Sequence, residues 1–267
     1  MIQPIDAIGR EVTEGIRGVF FDIDDTFTLE GRIPAASFNA LWDLWSADIT
    51  AVPITGRPAG WCDHIARMWP VAGVVGENGA FYFHHDPVNR CLERRFFIEP
   101  EEAFANRRRL RDIGAEILER VPGSAFASDQ EYRLFDVAID FTEDVPPLPR
   151  ESIDAICDIF REHGVTYKVS SIHVNGWFGD YDKLGMTKIF AREVLDIDLE
   201  SMRDRYLFVG DSPNDEPMFS FFPNSVGVSN VKDFLDRMTH PPAYITDQPG
   251  GEGFSELIKL ILTRRGE

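Results

Sequence analysis

Short apolar runs that end in acids or glycines organise the first eighty residues. GVFFDI, at 18–23, is apolar between a glycine and a cluster of aspartates. That is the pattern of a central strand with both faces covered. PAASFNALWDLWSAD places Phe38, Leu41, Trp42 and Trp45 at helical spacing, a stripe for core packing. ITAVPITGR reads as a second strand, RPAGWCDHIARMW as the next helix, and VAGVVGENGAFYF as a strand, a glycine-bounded turn and a further extended segment. Alternation of strand and helix predicts a layered α/β sheet.

The pattern changes after about residue 84. ERRFFIEP is extended, EEAFANRRRLRDIGAEILERV is a long helix, and EYRLFDVAIDF alternates as a strand would. Beyond the proline-rich DVPPLPR come a helix, SIDAICDIFREHG, and two adjacent strands or an interrupted hairpin in VTYKVSSIHVNGWFGD. Two groups of strands, each with a helix, imply an α+β domain at 84–179, inserted into a core built from 1–83 and 180–267. KLGMTKIFAREVL resumes the helix pattern. RYLFVGDSPNDEPMF, NSVGVSN and AYITDQPG supply strands with turns, and GFSELIKLILTRR closes as a helix.

The bulk properties narrow the function classes. The chain has 267 residues, 43% of them apolar and 27% charged, which describes a folded globular protein. A formal net charge of -18 argues against a general nucleic-acid or membrane-surface binder, while leaving room for a local anion pocket. Cys62, Cys91 and Cys157 are few and scattered, with no CxxC pair, so neither a disulfide framework nor a thiolate zinc site is expected. The first residues, MIQPIDAIGREVTEG, lack a basic stretch followed by an apolar one, and a cytoplasmic setting is the expectation.

Four segments share one predicted position, the end of a core strand or the start of the following helix: DIDDT (22–26), TGRP (55–58), DYDK (180–183) and GDSPND (210–215). In open α/β sheets, ligands gather beyond the carboxyl ends of the strands. Asp22 and Asp24 are two apart, so in an extended segment both side chains take the same side. Two carboxylates aimed at one point raise each other's pKa unless a cation lies between them. Oxygen ligands suit Mg²⁺, and Asp211 and Asp215 add the carboxylates such a site needs. A transferring phosphoryl group then needs donors and positive charge. Thr55 offers a hydroxyl and a backbone N–H, and Lys183 or Lys188 an ammonium. One carboxylate can attack phosphorus while a neighbour handles the proton of the leaving oxygen.

DIDDT, TGR, a downstream lysine and GDSPNDEPM, in this order, resemble the four motifs of the haloacid-dehalogenase superfamily of phosphohydrolases. The insertion between the threonine and lysine segments, and the ENGA segment at 77–80, are similar to its Cof-like class, which carries a C2-type α/β cap on a three-layer Rossmann-like core. The resemblance implies that Asp22 is the nucleophile and Asp24 the general acid and base. Thr55 would be the phosphate-binding hydroxyl, and Lys183 would neutralise the phosphoryl oxygens; Gly56 and Arg57 beside Thr55 are further substrate-binding candidates, with pairing to an acid near the site or simple solvation as the other readings of Arg57. It also implies that Asp22, Asp24 through its main-chain carbonyl, Asp211 and Asp215 serve the metal. Three departures stand out. Asp25 occupies a position where glycine is common and is expected to belong to the turn, with Thr26 holding it. Lys183 is followed by Leu-Gly, with Lys188 as competitor. Pro213 and Pro217 stiffen the last motif.

Within the insert, Arg133, Lys168, His173, Asn175 and Trp177 are candidate contacts for the leaving group. Trp177 would stack on a sugar face, and Arg133 or Lys168 would hold a second anion. Asn78 is expected to cap or turn the chain. The expected activity is Mg²⁺-dependent hydrolysis of a small phosphate ester, a sugar phosphate by resemblance, by a monomer or small homo-oligomer. Neither nucleic acid nor a membrane is expected as a partner. A phosphomutase and a catalytically silent sugar-phosphate sensor are the alternatives.

Overall fold

A computed structural model describes residues 2–266. Six parallel strands form one sheet, in the order Gln3–Pro4, Tyr244–Ile245, Ser225–Gly227, Tyr206–Gly210, Gly18–Phe21 and Thr50–Pro53. Gly18–Phe21 lies between two neighbours and is buried along its whole length. Its side chains alternate between two layers. Val19 and Phe21 pack with Leu41, Phe254 and Leu257 on one face. Phe20 joins Met186, Phe190, Phe208 and Phe222 on the other. Apolar demand on both faces explains why the run is continuous instead of alternating. Helices Ala35–Ser46 and Gly250–Gly266 carry the first layer, and Lys183–Glu193 and Glu216–Phe221 the second. The expected three-layer α/β core with a parallel sheet is therefore observed.

Val74–Gly76, Phe81–Asp86 and Cys91–Phe96 form an antiparallel sheet of their own, which runs through residue 84 as a hairpin. Asp86 shapes its turn, accepting from the N–H groups of Val88 and Asn89. A second antiparallel sheet follows, ordered Ala125–Phe126, Asp136–Asp140, His173–Trp177 and Thr166–Val169. Val137, Ile139 and Val174 point from it towards helices Pro100–Arg120 and Arg150–Glu162, packing with Ile117, Ile156 and Phe160 in a separate core. The alternate positions, Asp136, Asp140, His173, Asn175 and Trp177, are also buried and fall on the opposite face.

Two local expectations change. EYRLFDVAIDF is a strand only over Asp136–Asp140, with a 3₁₀ turn at Gln130–Tyr132 before it. The N–H groups of Leu134 and Phe135 donate to the Glu77 carboxylate, so they are not free to join a ladder. Thr26 does not hold the turn after Gly18–Phe21; its hydroxyl is directed to Asp211. Thr28 holds the turn, its hydroxyl accepting from the Asp25 N–H at 2.9 Å. Asp25 itself has the expected turn conformation, with φ 54°.

The ENG turn brings the start of the Lys183–Glu193 helix against the core. Gly79 has φ +104°, and a Cβ there would stand 2.0 Å from the Asp182 carbonyl oxygen. Gly164 also has positive φ (+65°) but nothing within 4 Å of such a Cβ. Strain alone costs about 1 kcal/mol, whereas a clash with immovable backbone adds to it. G79A is therefore expected to destabilise the protein by roughly 3 kcal/mol or more in urea unfolding, and G164A by about 1 kcal/mol. Equal losses for the two variants would show that the close approach at Gly79 is not what fixes this junction.

Candidate active site

Three neighbouring parallel strands deliver three polar residues to one edge of the sheet. Asp22 follows Gly18–Phe21, Thr55 follows Thr50–Pro53 by two residues, and Asp211 follows Tyr206–Gly210. The strand register continues into the site, since the Asp22 N–H donates to the Val209 carbonyl at 2.9 Å. Lys183 enters as the first residue of its helix, whose N-cap Asp182 accepts from the Gly185 N–H at 2.7 Å. The four segments named from sequence thus converge. Lys183 reaches the acids, while Lys188 pairs on the surface with Glu200.

Lys183 bridges two carboxylates, with Nζ 2.5 Å from Asp22 Oδ1 and 2.6 Å from Asp215 Oδ1. The other oxygen of Asp215 accepts from the N–H of Asp211 at 3.0 Å, within a reciprocal capping box with Ser212. A Cβ at Gly210 would fall 2.4 Å from that Asp215 oxygen, so the folded-back carboxylate requires glycine there. Thr26 donates its hydroxyl to Asp211 Oδ1 at 3.1 Å, and Asn230 links the Asp25 carbonyl to the Asp211 carboxylate. Thr55 is fully buried, and its hydroxyl accepts from the Arg57 N–H at 3.0 Å. Asn78 does form a left-handed turn, and its amide also packs over Gly56 and meets Asn214.

Burial drives the electrostatics. It raises Asp22 well above the carboxylate range; Lys183 opposes the rise, and Asp215 and Asp24 add to it. Asp211 is raised in the same way by burial, then by Asp215 and Asp22. Burial would lower Lys183, but Asp215 and Asp22 outweigh it and raise the ammonium's pKa. Three buried carboxylates face one ammonium, a formal excess of two negative charges. Carboxylate oxygens of Asp22, Asp211 and Asp215 all lie within 4.8 Å of one another. Opposite ligands of a Mg²⁺ octahedron are about 4 Å apart, so the spacing, charge and hard oxygen donors fit such an ion.

Asp24 departs from the expected geometry. The chain turns directly after Asp22, with the N–H groups of Thr26, Phe27 and Thr28 all directed to the Ile23 carbonyl, so the two-residue alternation of a strand does not apply. The Asp24 carboxylate faces Arg57 instead, through contacts of 2.7–3.0 Å. Arg57 also binds Glu143 at 2.6 Å and Asp129 at 3.3 Å, both from the inserted segment. Burial would raise Glu143, but His173 and Arg57 outweigh it and push the carboxyl down to about 2.

The insert candidates are mostly occupied by the protein itself. Arg133, expected to hold a substrate anion, is buried and bonded to Asp129, Asp136 and the Gly56 carbonyl. Trp177, expected to stack on a sugar, is fully buried, with its ring stacked on Tyr181 at 5.4 Å. Asn175 donates to Asp136, and His173 lies 3.0 Å from Glu143. Lys168 is half-buried on its strand. Sequence reasoning missed Glu77, Asp129, Glu143 and Asn230. Only Glu77 had a local signal, as an acid at the start of a glycine-bounded turn.

These geometries place the chain among known folds. No protein-family model and no curated protein matches it. Solved structures do. Protein 0175 of Thermoplasma acidophilum superimposes with a TM-score of 0.69 at 17% identity, covering 92% of this chain and 98% of that one. A haloacid dehalogenase-like hydrolase from Bacteroides thetaiotaomicron gives 0.64 at 15% identity, covering 92% and 99%. The sucrose-phosphatase of Synechocystis gives 0.61 at 17% identity, covering 91% and 97%. Among the described residues no helix is long and apolar enough to cross a membrane.

Glu77 ties the core to the insert and is itself titratable. Its carboxylate accepts from the N–H groups of Ala59, Leu134 and Phe135, while burial and then Asp136 push its pKa up to about 8. A carboxyl raised above its unfolded value of 4.5 contributes stability that is full below that value and is lost as pH rises through about 8. Thermal midpoints of the wild type are expected to fall between about pH 5 and pH 8 more steeply than those of E77Q. Parallel pH profiles would show that Glu77 does not titrate against the fold. In architecture, this chain has the haloacid-dehalogenase-like fold.

Proposed function

We propose that this protein is a Mg²⁺-dependent phosphomonoesterase acting on a small phosphorylated metabolite, a sugar phosphate in the first instance, through a covalent aspartyl-phosphate at Asp22. The observation that carries the reading is the Lys183 bridge between Asp22 and Asp215, beside Asp211 and Thr55 at the ends of three adjacent strands. Asp22, Asp211 and the main-chain carbonyl of Asp24 would hold the metal, and Asp215 would order its surroundings. Bound there, Mg²⁺ would supply positive charge to the phosphoryl oxygens and permit Asp22 to remain ionised.

The chain's own residues divide the remaining work. Asp22 attacks phosphorus with one carboxylate oxygen, and the bond to the leaving oxygen breaks. Lys183 uses two of its three N–H donors on Asp22 and Asp215, leaving the third for a phosphoryl oxygen. Thr55 offers its hydroxyl proton to a second oxygen, because that hydroxyl acts here as an acceptor towards Arg57. Asp24 protonates the departing alcohol and then takes a proton from the water that cleaves the aspartyl-phosphate. Arg57 orients Asp24 and is gripped by Glu143 and Asp129, so the position of the insert is coupled to the acid-base group. Asp215 acts as a positioning residue, since it fixes both the Asp211 backbone and Lys183.

Phosphate release from a broad panel of esters is the direct test. Turnover is expected with Mg²⁺, is lost with a chelator and returns when Mg²⁺ is restored. D22N and K183A should each lower kcat by about 10²-fold or more, whereas K188A keeps wild-type turnover. A folded, Mg²⁺-supplied protein that releases no phosphate from any ester, or a D22N variant as active as wild type, would contradict the proposal.

A further inference from the structure

Beside the carboxylate cluster, a cavity of about 820 Å³ opens between the Ala59–Met68 helix, the 28–33 loop, and Tyr132 and Glu143 of the insert. Asp24 and Arg57 are among its walls. A group leaving from phosphorus on Asp22 would have to depart towards Asp24, which protonates it, and this cavity adjoins Asp24. Cavities of roughly 300–1,000 Å³ enclose drug-sized ligands, well beyond what a two- or three-carbon alcohol fills.

The wall chemistry is specific. Trp61, Trp69 and Tyr132 contribute aromatic surface. Trp61 is 44% exposed and Tyr132 is 60% exposed, unlike the buried aromatic residues of the core. Arg57 already lies over the Trp61 ring, 4.4 Å from its centroid. What stays open suits a ring, such as the C–H face of a sugar, laid on the indole or phenol. Arg32 lines the same cavity, exposed and with no ion-pair partner among the described residues. His64 stands on that wall as well. The other guanidinium of the cavity, Arg57, is saturated by three carboxylates. In a chain of net charge -18, an unpaired cation here favours an anion that the surrounding surface would repel.

We propose that this cavity selects phosphate monoesters whose leaving group carries both a ring and a second anionic group. Trp61 and Tyr132 hold the ring, and Arg32 holds the anion. The proposal rests on the phosphohydrolase reading of Asp22 and gives it a substrate class.

Three esters separate the contributions: glucose 1,6-bisphosphate, glucose 6-phosphate and glycerol 3-phosphate. The expected order of kcat/KM is bisphosphate, then glucose 6-phosphate, then glycerol 3-phosphate. W61A should cost the two glucose esters roughly tenfold more than it costs glycerol 3-phosphate, from lost stacking. R32A should cost the bisphosphate roughly tenfold more than glucose 6-phosphate, and R32K should restore most of that difference. Calorimetry of the D22N protein with the same three esters measures the preference without turnover. Hydrolysis in which W61A and R32A leave the three ratios unchanged overturns the proposal and spares the phosphohydrolase reading. Absent hydrolysis, with D22N binding that still depends on Arg32 and Trp61, supports the pocket and overturns the hydrolase. Neither hydrolysis nor binding overturns both.

Discussion

A single buried ammonium governs the site. Lys183 is 2% exposed, yet it carries a full charge because Asp22 and Asp215 grip it from two sides. Removing either partner would strand a buried charge, an error that costs about 3–5 kcal/mol. The constraint reaches outwards. Asp215 must fold back on its own strand, which demands glycine at 210. The Lys183 helix must begin at one place, which demands the close approach at Gly79. Strand order then has to bring Asp22 and Asp211 together from positions far apart in the chain, and the parallel pairing of Gly18–Phe21 with Tyr206–Gly210 does so. The excess of carboxylate over ammonium that results is the reason a divalent cation suits the cluster.

A second buried ion network joins core and insert. Arg57 and Glu77 belong to the core segments, while Asp129, Arg133, Glu143 and the Leu134 and Phe135 N–H groups belong to the inserted stretch. Arg57 reaches Glu143 and Asp129 across the junction, Arg133 reaches the Gly56 carbonyl, and Glu77 takes the Leu134 and Phe135 N–H groups, so buried polar groups of each part find partners in the other. Such a junction is directional. It aligns the insert on Arg57, and through Arg57 on Asp24, more closely than apolar packing alone would. Trp177 adds that apolar packing, being part of the core cluster that includes Phe81 and Phe135. The cavity proposed for the leaving group opens beside this junction, so its shape depends on both parts of the chain.

The core was readable from the sequence because its signals are local. A run such as GVFFDI reports two-sided burial directly, and a proline or glycine marks several helix starts and strand ends, as at Pro34, Pro58 and Gly210. Convergence of Asp22, Thr55, Lys183 and Asp211 was readable from their common place at strand ends and helix starts. The orientation of Asp24 was not, because it depends on a turn beginning one residue earlier than an extended reading assumes. Arg133 and Trp177 looked like ligand contacts for a related reason. A charged or aromatic side chain on a strand carries no mark of whether its partner is a substrate or another part of the protein. Asp129, Asp136 and Tyr181 supplied those partners from elsewhere in the fold. Glu143, next to a proline-rich break, gave no sign that it would meet an arginine 86 residues away.

Covalent chemistry at Asp22 is the claim on which the functional reading turns. Borohydride reduces an acyl phosphate but leaves a free carboxylate intact, so quenching the protein with borotritide during ester turnover marks the nucleophile. Peptide mapping should recover the label in the peptide containing residue 22, converted to homoserine, and should find none in D22N. Label on a different carboxylate, or turnover with no label anywhere, would contradict the assignment.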